Sequence, residues 1–214
     1  MDARALLQRF CALPSRDPRA HLHTPWLNGP YAYASNGHWM ARMPAANVGD
    51  FPAFDPDKHP RIATALFDGA AGLVLGALPA LPPIERCPEC DGTLKRATAD
   101  CANCEGSGVF MHDGHTYDCK SCNGAGLVPA MAGVDGDTEC DMCARTGYQM
   151  DAVTLPIACG SQRFQPAYLA ALADLPGIRF ANGIGNNAAR FAFDGGEGLL
   201  MPCDVVAALD GIRY

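Results

Sequence analysis

The 214-residue chain has no long uninterrupted apolar run. Its longest, residues 69–84, spans 16 positions and is broken by glycine and proline, whereas a membrane-spanning helix needs roughly 20. The opening MDARALLQRFCALPSRDPR lacks the continuous apolar stretch of a secretory signal, so a soluble, cytoplasmic protein with no membrane partner is expected. Positive charge is also scarce: 16 Lys and Arg face 23 Asp and Glu, a formal −7. The 23 glycines follow no triplet period, which excludes collagen, and 49% apolar residues exclude wholesale disorder. That content suits one ordinary core with a small second module.

What the chain does have is 11 cysteines. Eight form four Cys-x-x-Cys pairs, Cys87/Cys90, Cys101/Cys104, Cys119/Cys122 and Cys140/Cys143, inside a window of 57 residues; Cys11, Cys159 and Cys203 stand alone. A secreted disulfide scaffold spreads its cysteines over a short chain, and in a reducing compartment such pairs more often hold metal. Residues 85–149 are rich in Gly and Asp and poor in large apolar side chains. A segment of that kind cannot build its own core, so something else must fold it. We therefore read residues 1–84 and 150–214 as one discontinuous domain of 149 residues interrupted by the insertion 85–149. Pro79, Pro82 and Pro83 mark the first boundary, and residues 148–153 the second.

The flanks predict an α+β fold, two helices packed on an antiparallel sheet. Asp2 can cap a first helix with Leu6, Leu7, Phe10 and Cys11 at helical spacing, stopped by Pro14. Residues 31–35 and 38–43 around Asn36-Gly37 predict a hairpin with a type I′ turn. A second helix is expected from about Pro60 to Phe67, before Gly69, while residues 70–78 fit a strand or a helix continuation equally. In the C-flank, Pro166 suits a helix start. Phe164, Tyr168, Leu169, Leu172 and Leu175 make one apolar stripe, and Pro176-Gly177 stops it. Strands are expected over 178–181, 189–193 and 199–201, with 194–198 as a turn.

Each cysteine pair is a knuckle, two thiolates able to reach one tetrahedral Zn²⁺ at about 2.3 Å. Glycine after the second cysteine lets the backbone aim N–H groups at sulfur. Eight ligands suffice for two Cys₄ sites with no open position, structural rather than catalytic. Redox Cys-x-x-Cys sits once, at a helix start after a strand, and neither surrounds these pairs. All-cysteine iron–sulfur ligation stays open, although four evenly built knuckles suit two mononuclear sites better than one cluster.

Cys101-Ala-Asn-Cys104-Glu-Gly106-Ser-Gly108 and Cys119-Lys-Ser-Cys122-Asn-Gly124-Ala-Gly126 carry the full Cys-x-x-Cys-x-Gly-x-Gly repeat. This resembles the cysteine-rich zinc domain of DnaJ-type (Hsp40) co-chaperones. The outer repeats depart from it, with Leu94 in place of the second glycine of one and Arg145 in place of the first glycine of the other. The resemblance implies that one zinc takes Cys87, Cys90, Cys140 and Cys143, and a second takes Cys101, Cys104, Cys119 and Cys122. A hairpin over 109–118, turning at Asp113-Gly114, would bring the inner knuckles together. No J-domain His-Pro-Asp loop and no Gly/Phe-rich linker occur, so a role in driving an Hsp70 ATPase does not carry over. The flanks carry a second resemblance. Residues 164–175, 190–193 and Leu200-Met-Pro202, with the hairpin around Asn36-Gly37-His38, are similar to a bacterial DNA polymerase sliding-clamp domain. That implies a clamp-like sheet and an accessory role in DNA replication or other nucleic-acid metabolism; a ring would need several copies, and homo-oligomerisation stays open.

Charge argues against nucleic acid. Residues 85–149 hold 11 acidic and 5 basic side chains, and two Cys₄–zinc sites would take the module near −10. Phosphate binding needs clustered Lys and Arg. The clamp-like helix over 166–175 has no Lys or Arg. A protein or peptide partner fits better, contacted by Phe110, Met111, Tyr117, Leu127 and Val128 between the knuckles. His112 and His115 read as solvated turn residues, and His21, His23 and Trp26 as an ordinary loop. Cys159 and Cys203 read as small core hydrophobes. Gly183, Gly185, Gly195 and Gly196 lack the Lys-Ser/Thr of a phosphate loop. No acid–base pair can be placed, so a non-enzymatic protein is expected.

Overall fold

The computed structural model describes residues 2–55, 62–130, 138–150, 157–184 and 187–203. These hold three α-helices, α1 (Ala3–Gln8), α2 (Ile62–Ala70) and α3 (Pro166–Ala173). The N-flank strands are β1 (Trp26–Asn28), β2 (Tyr31–Ser35) and β3 (Trp39–Pro44). The cysteine-rich segment holds β4 (Lys95–Arg96), β5 (Thr98–Asp100), β6 (Val109–His112), β7 (His115–Asp118), β8 (Leu127–Pro129) and β9 (Thr138–Glu139). The C-flank holds β10 (Ile157–Cys159), β11 (Gln162–Phe164), β12 (Arg179–Ala181), β13 (Ala189–Phe193) and β14 (Gly196–Leu200).

The flanks meet in one six-stranded antiparallel sheet of order β1-β2-β3-β14-β13-β12. The join is the β3–β14 pair, with Trp39 opposite Leu200 and Met40 opposite Leu199. Side chains alternate across the pleat. On one face Ala32, Ala34, Trp39, Ala41, Met43, Phe191, Phe193 and Leu200 pack with Leu7 and Phe10 and with Leu169 and Leu172 of α3. On the other face Tyr33, Met40 and Leu199 pack with Phe67 and Ala70 of α2 and with Leu22 and Trp26. An ion-pair chain crosses this second face. Glu197 joins Arg42 at 2.6 Å and Arg190 at 2.7 Å, and the Arg42 guanidinium lies 4.2 Å over the Phe67 ring. Burial opposes the charge of Glu197, but the two arginines outweigh it and hold the carboxyl below its usual range.

Several expectations change. Three helices, not two, cover the sheet among the described residues, because both of its faces are apolar. Asp2 occupies the N-cap of α1 but makes no side-chain cap bond. Of the Asn36-Gly37 turn, only Gly37 takes a positive φ, of 88°. The central pair is therefore Gly37-His38, and the Asn36 Oδ1 accepts from the His38 and Trp39 N–H groups instead. Helix α2 runs through Gly69 to Ala70, and Pro60 lies outside the described residues. Of residues 70–78, Ala70 ends the helix and the rest form neither helix nor a full strand; Gly76 makes a single bridge to Phe180 on the sheet edge. Phe164 belongs to β11 rather than the helix. In α3 every side chain from Pro166 to Leu172 is buried, in a core against which Leu78, Leu81, Ile84 and Ile157 also pack. The turn before β14 shrinks to Asp194-Gly195. Val153 and Gly185 lie outside the described residues. No described helix is long and apolar enough to cross a membrane.

Gly198 sits directly opposite Phe191, and a Cβ there would run into the Phe191 ring and the Met40 carbonyl. Gly198→Ala should therefore cost about 1–3 kcal/mol of stability, read as a lower urea midpoint at unchanged slope; an unchanged midpoint would show that the ring does not need the glycine.

Candidate metal centres

The four knuckles share one backbone path. The residue after each second cysteine is left-handed, with φ of 45° at Asp91, 51° at Glu105, 49° at Asn123 and 47° at Ala144. The next is left-handed as well, at Gly92, Gly106, Gly124 and Arg145, and so is the fourth, at Leu94, Gly108, Gly126 and Gly147. Glycine is favoured at such positions because it has no Cβ to clash. The path brings an N–H onto sulfur: Gly108 N–H donates to Cys104 Sγ and Gly126 N–H to Cys122 Sγ, each at 3.3 Å. A hydroxyl holds the intervening residue. Thr93, Ser107 and Thr146 donate to the carbonyls of Cys90, Cys104 and Cys143 at 2.6–2.7 Å. Ala125 stands where the remaining knuckle would have it.

Knuckles pair by reciprocal backbone bonds. Cys101 N–H donates to Gly126 O and Cys119 N–H to Gly108 O, each at 2.8 Å. Cys87 N–H donates to Gly147 O at 3.0 Å and Cys140 N–H to Leu94 O at 2.9 Å. First therefore joins fourth and second joins third. Two buried clusters result, Cys87, Cys90, Cys140 and Cys143, and Cys101, Cys104, Cys119 and Cys122, each with its sulfurs within 4.8 Å of one another. Four cross-knuckle pairs, Cys87–Cys140, Cys90–Cys143, Cys101–Cys119 and Cys104–Cys122, have Sγ–Sγ distances of 3.8, 3.8, 3.9 and 3.7 Å. A tetrahedral ion bound by sulfur at about 2.3 Å requires a sulfur–sulfur edge of about 3.8 Å. Both clusters fit a single ion, and four sulfurs close its shell.

Crowding four sulfurs has an electrostatic consequence. Burial raises the Cys143 thiol, and the sulfurs of Cys140, Cys90 and Cys87 raise it further. Cys122 is pushed up to about 11, by burial first and then by its neighbours. At Cys119 burial also opposes the thiolate, but N–H groups of Cys122 and Ser121 and the thiols of Cys122 and Cys104 outweigh it and bring it down to about 7. A cation is what lets such a set ionise together.

The two centres differ in their surroundings. In the inner one a Cβ at Gly108 would strike the Gly124 carbonyl, and one at Gly126 the Gly106 carbonyl, so both glycines are obligatory. In the outer one Leu94 packs against the cysteines in a left-handed conformation with φ of 66°. Arg145 departs from glycine for another reason. Its Nη1 donates to the carbonyls of Gln8, the last residue of α1, and of Cys11 and Ala12 just beyond it, at 3.1–3.4 Å. Its Nη2 meets both oxygens of Glu139 at 2.7 and 2.6 Å. Arg9 returns the contact, donating to Arg145 O at 3.1 Å and Thr146 O at 2.6 Å. Tyr148 O–H donates to Asp174 Oδ1 at 2.9 Å, and Arg86 pairs with Asp174 Oδ2 at 3.0 Å. The outer centre is thus clasped to α1 and to the end of α3. The clasp was missed in the sequence, although an arginine in a glycine position was its visible signal; the repeated Thr/Ser was likewise legible in register.

The hairpin β6–β7 forms as expected, with positive φ at both Asp113 and Gly114, the I′ pattern. Phe110, Met111, Tyr117 and Leu127 are exposed. Val128 is half-buried against the inner cysteines, so its side chain supports that centre. Cys11 and Cys159 are buried and Cys203 half-buried, and burial pushes the Cys11 thiol up to about 12. Comparisons with protein-family models, curated proteins and solved structures give no match.

Two outcomes follow. Arg145→Gly restores the repeat's glycine but removes the clasp, so it should retain both ions while lowering stability by about 1–3 kcal/mol, seen in metal content and urea unfolding together. Metal affinity should fall steeply from pH 8 to pH 6. The raised thiols of Cys122 and Cys143 bind protons that a metal must displace, so lowering the pH favours the metal-free form. Competition with a chromophoric chelator reads this directly, and a flat profile would contradict it.

Proposed function

We propose that this is a non-enzymatic zinc protein, in which two structural Zn²⁺ ions hold a DnaJ-like, cysteine-rich module that serves as a protein or peptide interaction surface on a clamp-like sheet domain. The carrying observation is the pair of buried four-sulfur sets, each with all its sulfurs within 4.8 Å of one another and two cross-knuckle pairs at 3.7–3.9 Å. Spacing that tight leaves room for one ion rather than a polynuclear cluster, and four thiolates suit zinc. Cys87, Cys90, Cys140 and Cys143 would hold one ion, and Cys101, Cys104, Cys119 and Cys122 the other. With no ligand position left for water, the ions organise backbone rather than activate substrate. What they organise carries exposed apolar side chains, Phe110, Met111, Tyr117 and Leu127, on strands whose own sequence offers little core.

Against the alternative, nucleic-acid metabolism through the clamp-like domain, stand the 11 acidic and 5 basic residues of 85–149. Helix α3, the counterpart of a clamp's duplex-facing helix, carries no positive charge and is buried along Pro166–Leu172.

Metal analysis of purified protein should give two zinc ions per chain and none of the visible absorbance of iron thiolates. A peptide array should show binding that chelation abolishes. Cys104→Ser should retain one zinc and expose residues 109–118 to protease while the sheet domain stays folded. Absence of zinc would remove the reading, and an array silent with zinc bound would remove its interaction half.

A further inference from the structure

The register of the β6–β7 hairpin gathers rings. Phe110 lies opposite Tyr117, and His112 opposite His115. Residues directly opposite, and residues two apart along a strand, share a face. Phe110, His112, His115 and Tyr117 therefore stand on one face of the hairpin, and Val109, Met111, Thr116 and Asp118 on the other. His115 and Tyr117 are in ring contact, centroids 6.5 Å apart in a T-shaped arrangement. All four rings are exposed, Phe110 at 44% and Tyr117 at 53%. The pair can support the hairpin across its two strands, but rings this open keep much of their faces available to a partner. Elsewhere in this protein rings are used differently: Arg42 and Arg86 each place a guanidinium about 4.4 Å or closer over a buried or half-buried ring.

The surroundings set the sign of a ligand. Between residues 98 and 130 the chain has four acidic side chains, Asp100, Glu105, Asp113 and Asp118, and one basic side chain, Lys120. A four-thiolate zinc site adds a further formal −2. Aromatic faces in a negative field attract guanidinium and ammonium groups through the ring quadrupole, whereas phosphate is repelled.

Building on the interaction-module reading, we propose that the Phe110/His112/His115/Tyr117 face binds polypeptide segments rich in arginine, stacking guanidinium groups on its rings. The acidic neighbours steer such segments in, and the inner metal centre keeps the two strands in register. The opposite face of the same hairpin takes no part.

Fluorescence anisotropy on the full zinc-loaded chain tests this, with a labelled peptide alternating arginine and serine. A glutamate–serine peptide, an uncharged leucine–serine peptide and a thymidine oligomer serve as comparisons. The arginine peptide should bind, more weakly as salt rises, and the other three should not. Phe110→Ser/Tyr117→Ser should weaken binding about tenfold with both zinc ions retained, while Met111→Ser on the opposite face should leave it unchanged. Equal binding by the double variant, equal loss with Met111→Ser, or tighter binding of the oligonucleotide would overturn the proposal. Binding of the leucine–serine peptide alone would overturn it while leaving the interaction-module reading intact; a chain that binds no peptide of any composition would remove both.

Discussion

Sulfur convergence is the constraint on which the middle of this molecule depends. Residues 85–149 contain few side chains able to exclude water, and the strands they form are two to four residues long. Such fragments do not pair stably alone. Each becomes possible because four sulfurs must lie on the corners of one small tetrahedron, which fixes two knuckles and hence the strands leaving them. Strands β5 and β8 enter and leave the inner centre, β6 and β7 close its other end, and β4 and β9 lead to the outer one. The cysteines fill the place of a core, forming the buried clusters of their own region. With an ion bound, metal chemistry and folding would be one free energy, and that energy would help sustain the non-glycine left-handed residues of the knuckles, such as Asp91, Glu105, Asn123 and Ala144.

The sulfur pattern was legible in the sequence because it is local: a thiolate pair two residues apart with glycine behind it specifies its own backbone path. The strands over 31–35 and 189–193 were legible for the same reason, each alternating across a pleat. What could not be read was set by partners distant in the chain. Helix α3 looked like an amphipathic helix with one apolar stripe, but it is buried along its whole length from Pro166 to Leu172, inside a core that Leu78, Leu81, Ile84 and Ile157 also join, and no local period encodes that. Asn36-Gly37 carried the right residues for one hairpin turn, yet the strand register moved the turn forward by one position so that the asparagine side chain caps it. Val128 alternates as a surface residue would, and only the fold shows it leaning on the inner sulfurs.

The departures from the glycine repeat separate the two centres. Where glycine is kept, at Gly108 and Gly126, the opposing carbonyl leaves no space for a Cβ, so the inner pair is a closed unit in contact mainly with itself. Where it is replaced, the new side chain has a task. Leu94 supplies apolar cover to the outer cysteines, and Arg145 reaches the carbonyls at the end of α1. Left-handed arginine is unfavourable locally, by an amount of order 1 kcal/mol, and several charge-assisted hydrogen bonds more than offset it.

This asymmetry divides labour between two sites of the same chemistry. The outer centre meets the sheet domain through Arg9, Arg145, Tyr148, Arg86 and Asp174, a set of contacts that ties it to α1 and to the end of α3. The inner centre carries the hairpin β6–β7, whose side chains from Phe110 to Asp118 are all exposed. One cysteine set thus lies at the anchored end of the module and the other at its outward end. Anchoring at one end and an exposed, ring-bearing hairpin at the other accord with the proposed interaction role. An ion held by each cysteine set would meet the ordering entropy of the strands in advance of any contact they make.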